Sequence, residues 1–282
     1  MNNSSMQHRP RWRPVEANLK SRLGTALLGI PLLILLVGWG SSRLFAAVLF
    51  ILTIAALREY FLMVFPGRRQ EQAIGMVFGG AVSLALFVPG WIEAGAGLSL
   101  VLVICFSIYL FIAGRLEEKL IRLSWTLLGG LYLGFLFPHW VVLFRMPQGR
   151  GWVFFVLLVV MGGDSVAYFV GKRFGVRKLL PDISPGKTVE GVWGYMIGSL
   201  IAGFFGAWFL LPELAWPETL ALSFCLSVLG QVGDLFESWI KRVFAVKDSG
   251  SFLPGHGGLL DRVDSLIFPA VFTSLYLKVF HP

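Results

Sequence analysis

The stretch "LGTALLGIPLLILLVGWGSSRLFAAVLFILTIAALREYFLMVF", residues 23–65, holds two long apolar runs separated only by Ser41, Ser42 and Arg43. A helix needs roughly 20 mostly apolar residues to cross about 30 Å of hydrocarbon. Pro31 inside the first run argues against a soluble helix, whereas membrane helices tolerate proline because neighbouring groups satisfy the freed backbone. The stretch therefore reads as two membrane spans joined by a short polar turn. A cleaved secretory signal is the alternative for the first run. No small-residue cleavage pattern follows Gly40 and Arg43 opens another apolar run, so a first span is expected instead.

Moving outward, the same pattern recurs at 22–38, 43–65, 74–90, 97–114, 124–145, 151–171, 192–211, 218–240 and 264–280, which predicts an all-α polytopic membrane protein with about nine spans. Composition agrees: 56% of the 282 residues are hydrophobic and 14% charged, with a mean hydropathy of +0.75, far from soluble usage. Placing the N-terminus in the cytoplasm puts 20 of the 24 lysines and arginines in inside segments, leaving Arg43, Arg145, Arg150 and Lys278 outside. That asymmetry obeys the positive-inside rule. The net charge of +8 thus reads as topology and attraction to anionic lipid, and nothing resembles a nucleic-acid module. Cys105 and Cys225 fall within spans, which excludes a disulfide framework and makes them small apolar packers.

The chain divides into a basic cytoplasmic segment at 1–22, about five spans over 23–150, and a chemistry-bearing region over 151–282. In the first two parts the linkers are short charged turns. For Glu59 the alternatives are an intramembrane ligand and an interfacial surface pair with its neighbour Arg58, and the second is expected; His139 reads as a packed or interfacial histidine rather than a metal ligand. No internal repeat is evident, which weakens an inverted-repeat transporter.

From Gly162 the character changes. In "GDSVAYFVGKRFG", residues 163–175, Asp164, Tyr168 and Lys172 recur every four residues and share one helical face. A carboxylate at the rim of hydrocarbon is a functional hypothesis by default; the alternative is a structural tether to Lys172 or Arg173. Downstream, Ser184 before Pro185 reads as an N-cap and first helical residue, so the seventh helix is expected to begin there. Its free N–H groups, with Lys187 and Thr188, would suit a phosphate. A Walker A loop is excluded, because Pro181 stands where its first glycine is needed.

Ser227, Gln231, Asp234, Ser238 and Lys241 then recur at steps of four and three, a polar stripe along the eighth span. Such a stripe lines either a wet pocket or a polar seam between helices. It leads into "KDSGSFLPGHGGLLDRVDS", residues 247–265, with three aspartates, four glycines, a lysine, an arginine and a histidine. Asp261 and Asp264 are three apart at the start of the ninth span, so both can face one ion, with Asp234 completing the set. Hard oxygen donors without competing sulfur favour Mg²⁺. Helix capping is the bland alternative for the two aspartates, but it leaves Lys247, Asp248, His256 and Arg262 unexplained. Gly255, Gly257 and Gly258 are expected to give room for a ligand near the backbone.

The run "SWIKRVFAVKDSGSFLPGHGGLLDRVD", residues 238–264, resembles the signature of the phosphatidate cytidylyltransferases, or CDP-diglyceride synthetases, pairing S-x-x-K-R with K-D and H-G-G-x-x-D-R-x-D without departure. "GDSVAYFVGKRFG" and "ISPGKTVEG" are similar to that family's pattern as well. The resemblance is strong from Gly162 onward and covers the first 150 residues only in span number and character. It implies an enzyme of the bacterial inner membrane, its site on the cytoplasmic side, that converts phosphatidate and CTP into CDP-diacylglycerol and pyrophosphate with Mg²⁺ and with a second cation and a homodimer as open expectations. On this reading Asp234, Lys241, Asp261 and Asp264 are catalytic. Asp234, Asp261 and Asp264 hold the metal, and Asp164, Ser184, Lys187, Arg242, Lys247, Asp248, His256 and Arg262 contact substrate. A cation-coupled transporter and a noncatalytic scaffold are the competing classes; the first places its acids at the bilayer midplane, and the second has no need of so dense a charged loop.

Overall fold

A computed structural model describes residues 19–87, 94–250 and 257–281. The expected basic segment lies outside these up to residue 18, as does His256. Ten α-helices are described: α1 Leu19–Trp39, α2 Ser42–Val64, α3 Arg69–Phe87, α4 Ala94–Phe111, α5 Leu116–Gly129, α6 His139–Phe144, α7 Gly149–Phe174, α8 Val189–Leu210, α9 Trp216–Val243 and α10 Leu260–Phe280. A π-helical segment, Gly130–Leu136, joins α5 to α6. Among the described residues, six helical stretches are long and apolar enough to cross a membrane: α2, the continuous Leu116–Phe144 stretch, α7, α8, α9 and α10. The chain is a polytopic membrane protein by this architecture. Many large apolar side chains face outward, Leu27, Phe111 and Phe209 among them, as a hydrocarbon solvent permits.

Local sequence sets the element ends. Ser41 caps α2 by accepting from the Leu44 N–H at 3.1 Å, and α2 stops just before Pro66. Between α7 and α8 the backbones approach closely because Gly194 and Gly198 face Val170 and Val166. A Cβ at either glycine would come within 2.7 Å of a valine Cβ. Small residues at such contacts are the usual means of close packing in membranes, where lipid offers no hydrophobic drive between helices. The inner face of α2 supplies Leu57, Tyr60 and Phe61 to the core, which continues through Val156, Leu226, Leu260 and Ile267 of the C-terminal helices. Residues of the first 150 and of the last 130 thus share one core.

Two expectations are corrected here. The protein is not purely helical: β1 (Lys178–Leu180) and β2 (Ser184–Thr188) form an antiparallel hairpin with Lys178 opposite Thr188 and Leu180 opposite Ser184. Ser184 therefore does not cap the next helix. Thr188 does, accepting from the Gly191 N–H at 3.1 Å, so α8 begins four residues later than expected. The physical reason is Glu190, whose carboxylate accepts from the Val176 and Arg177 backbone N–H groups at 3.1 and 3.2 Å and folds the segment back on α8. Arg242 fixes the hairpin's turn by donating from Nε to the Ile183 carbonyl at 3.0 Å.

Candidate active site

The polar stripe of α9 meets three other elements at one end of the bundle. Asp164, Tyr168 and Lys172 of α7, Gly186 and Lys187 of β2, Tyr195 of α8 and Gln231 and Asp234 of α9 line a cleft of about 410 Å³. The expected shared face of Asp164, Tyr168 and Lys172 is thus realised, and Lys172 Nζ lies 5.7 Å from the Tyr168 ring centre. No ion pair ties Asp164 to Lys172 or Arg173 among the described residues. Lys187 Nζ reaches across to Asp234 Oδ2 at 2.7 Å, and Ser238 donates its hydroxyl to Asp234 Oδ1 at 3.3 Å. Bending Ser184–Thr188 into a strand is what aims Lys187 at α9.

Deeper in, Lys241 is sealed between two acids, with Nζ 2.5 Å from Glu237 Oε2 and 2.6 Å from Asp261 Oδ1. Exposure of the three side chains is 10%, 1% and 11% for Lys241, Glu237 and Asp261. Charges removed so far from water require partners, because the desolvation penalty is several kcal/mol per ion. Asp261 finds more in the loop, accepting from the Ser249 N–H at 3.1 Å and the Gly258 N–H at 2.9 Å. Among the described residues Glu237 has no further hydrogen-bond partner, and its Oε1 is buried without one. Asp264, also buried, accepts from the Ser265 N–H at 2.6 Å. It lies in the electrostatic field of Asp234, Lys241 and Lys187, while Asp234 in turn is felt by Asp164. Tyr195 lines the cleft with Asp164 and Asp234, and its hydroxyl is buried without a hydrogen-bond partner among the described residues.

The expected ligand set is therefore split. Asp261 faces Lys241 and two backbone donors, whereas Asp234 lines the cleft and Asp264 is buried, accepting from the Ser265 N–H. Among the described residues no three His, Cys, Asp or Glu side chains cluster at metal-binding spacing. Lys247 and Asp248 are exposed in the loop after α9, and Arg262 is exposed on the first turn of α10. Arg242 is directed elsewhere, its Nε and Nη1 donating to the carbonyls of Ile183 and Val246, both at 3.0 Å. Ser184 belongs to the hairpin and does not line the cleft.

Of two further glutamates, one was missed by the sequence reading and the other misplaced by it. Glu237 precedes Lys241 by four residues, a spacing that favours pairing on a helix, so a signal existed. Glu59 is not a surface partner of Arg58. Its side chain is buried, and Oε2 accepts from the Leu260 N–H at 3.0 Å and the Ser249 hydroxyl at 3.3 Å, while Arg58 is exposed. Gly258 also differs from expectation: a Cβ there would lie 2.7 Å from Glu59 Oε2, so its bareness accommodates the protein's own carboxylate. Gly257, at φ +82°, holds a left-handed turn that favours glycine. His139 and Cys105 are packed as expected, the histidine Nδ1 lying 3.0 Å from the Phe135 carbonyl.

Comparison with known proteins adds to this geometry. A profile described as the cytidylyltransferase family matches residues 20–280. A protein of Bacillus subtilis named phosphatidate cytidylyltransferase is 44% identical over 155 residues, 54% of this chain and 57% of that relative's length. Proteins of the same name from Staphylococcus haemolyticus and a Synechocystis species are 32% and 33% identical. Those two alignments cover 89% and 93% of this chain, and 95% and 97% of the relatives.

Proposed function

The chain belongs to the cytidylyltransferase family, and from that premise we propose that it transfers the cytidylyl group of CTP to phosphatidate, giving CDP-diacylglycerol and pyrophosphate for phospholipid synthesis. The observation that carries this reading to particular residues is the meeting of α7, β2 and α9 at one cleft, where Asp164, Lys187 and Asp234 come together. A phosphate oxygen of phosphatidate attacks the α-phosphorus of CTP, a new P–O–P link forms, and the bond to the β-phosphate breaks with its electron pair leaving on pyrophosphate. The nucleophile is already ionised near neutral pH and needs no general base. Its difficulty is approaching another polyanion, so the protein's work is charge neutralisation and alignment.

Lys187 and Lys172 present ammonium groups to the phosphates at the cleft mouth, with Lys247 and Arg262 as outer contacts nearer the loop. Lys241 keeps a fixed positive charge beneath them, oriented by Glu237 and Asp261. The donor set fits a Mg²⁺ ion, which is held through one or two carboxylates and completes its shell with water and substrate phosphates. Asp234 and Asp264 are the residues that would hold it, and Asp164 faces the same space. When bound, such an ion supplies Lewis-acid stabilisation of charge on the phosphoryl oxygens. Asp261 is better suited to fixing Lys241 and the loop than to ligation, because its oxygens already meet three donors.

The same reading sets the topology. The six long stretches, together with the shorter apolar stretches Leu27–Trp39 of α1 and Ala96–Phe111 of α4, support a multi-pass arrangement, and in this reading α3 completes nine crossings, with the N-terminus and the cleft on the cytoplasmic side of a bacterial inner membrane. Acyl chains then remain in the bilayer while the head group enters beside the exposed Asp164 and Tyr168. A homodimer completes this reading, resting on the family resemblance alone. Purified protein supplied with phosphatidate, radiolabelled CTP and Mg²⁺ is expected to yield labelled CDP-lipid. No labelled lipid under those conditions, from protein that melts cooperatively, would refute the activity.

A further inference from the structure

We propose that Glu59, on α2 in the N-terminal half, is a positioning residue for the reaction, latching Ser249 of the preceding loop to the start of α10, whose first turn carries Asp261, and thereby setting Lys241. The inference rests on the reading of Lys241 and Asp261 as parts of the active site. Glu59 is 5% exposed, and a carboxylate sealed from water is kept only where donors meet it. Both donors come from the loop's two ends: the Ser249 hydroxyl at 3.3 Å and the Leu260 N–H, at the start of α10, at 3.0 Å. The N–H groups at a helix start lack intrahelical partners, and the helix dipole favours negative charge there. Glu59 therefore satisfies α10 from another helix 201 positions away in sequence.

The loop is shaped around this carboxylate. A Cβ at Gly250 would lie 2.6 Å from Glu59 Oε1, and one at Gly258 2.7 Å from Oε2, so neither position has room for a side chain while the carboxylate stays in place. Ser249 and Gly258 are also the residues whose N–H groups bond Asp261. The chain of contacts thus runs from Glu59 through Ser249 to Asp261, which the Gly258 N–H also holds, and on to Lys241 Nζ, with no step longer than 3.3 Å. Glu59 touches neither cleft nor substrate in this account; it acts by holding the groups that do.

Removing the latch lets the loop drift, and a misplacement of about 1 Å in a catalytic group costs about 10²-fold in rate. In Glu59→Ala protein, kcat for CDP-lipid formation is expected to fall by about that factor while KM for CTP changes less than threefold. Hydrogen exchange should rise in the peptide spanning 247–262 and stay as in wild type in α7 and α8. Glu59→Gln keeps one acceptor oxygen for the Leu260 N–H and should recover about tenfold of the lost kcat. A merely structural role predicts instead a lower melting temperature with unchanged kcat per folded molecule, and that result overturns the proposal. So does unchanged exchange at 247–262. If Glu59→Ala does not fold, Ser249→Ala and Glu59→Gln decide: lowered kcat with raised exchange at 247–262 supports the latch, and wild-type kcat in both refutes it. Full activity of a Lys241→Met protein, by contrast, would remove the reading beneath the proposal while leaving the loop measurements to stand on their own.

Discussion

Two lysines stand against acids on the same helix, in opposite settings. Lys187 meets Asp234 at 2.7 Å on the wall of an open cleft, with 26% and 31% of the two side chains exposed. Lys241 meets Glu237 and Asp261 at 2.5 and 2.6 Å with about a tenth or less of any of the three exposed. Water screens the first pair, so holding it together contributes little and exchanging it for phosphate or a cation costs little. The second group is fixed, since separating its charges would leave one bare in a poorly solvated interior. The difference teaches how one helix can serve both a rigid and an exchangeable function: the rigid charge is built where no ligand needs to displace it.

That contrast can be broken most forcefully at Lys241. Replacing it by methionine leaves Glu237 and Asp261 buried without their cation, and a loss of about 3–5 kcal/mol in stability is expected together with loss of product formation. Chemical unfolding in detergent reads the first and the CTP assay the second. Asp234→Asn tests the other side: activity is expected to drop about 10²–10³-fold, while stability changes by less than about 1 kcal/mol because the pair it breaks is screened. A stability loss as large as that at Lys241 would erase the distinction. Lys187→Ala should weaken nucleotide or lipid binding about 10–100-fold, the worth of a hydrogen bond to a charged group, visible as a raised KM with the melting temperature within a few degrees of wild type. Smallest is Thr188→Ala, which removes the cap of α8 and should cost about 1 kcal/mol with a modest rise in KM, since Thr188 is the residue next to Lys187.

Much of this architecture was legible because lipid imposes a simple rule. Every crossing must satisfy its own backbone, so apolar runs such as 43–65 map closely onto helices such as α2, Ser42–Val64. The α9 stripe was legible for the same reason, as polar residues at helical spacing in an apolar segment must face something other than lipid. The hairpin was not, because Ser184–Pro185 carries the local signature of a helix start. What overrides it is tertiary: the Glu190 carboxylate collecting two backbone N–H groups and Arg242 holding the Ile183 carbonyl. Glu59 ends an apolar run that allows burial, but its partners, Ser249 and Leu260, lie about 200 positions away, so its neighbour Arg58 took their place in the reading. The three aspartates were legible as a functional group but not in their division of labour, because spacing puts Asp261 and Asp264 on neighbouring faces without revealing that Lys241 claims the first.

The most direct test of the account is Asp264→Asn, assayed beside wild type with phosphatidate, labelled CTP and a Mg²⁺ titration, each protein matched for melting behaviour. The account predicts at least about 10²-fold less CDP-lipid from the variant, not restored by raising Mg²⁺. Wild-type product formation by a correctly folded Asp264→Asn protein would contradict it.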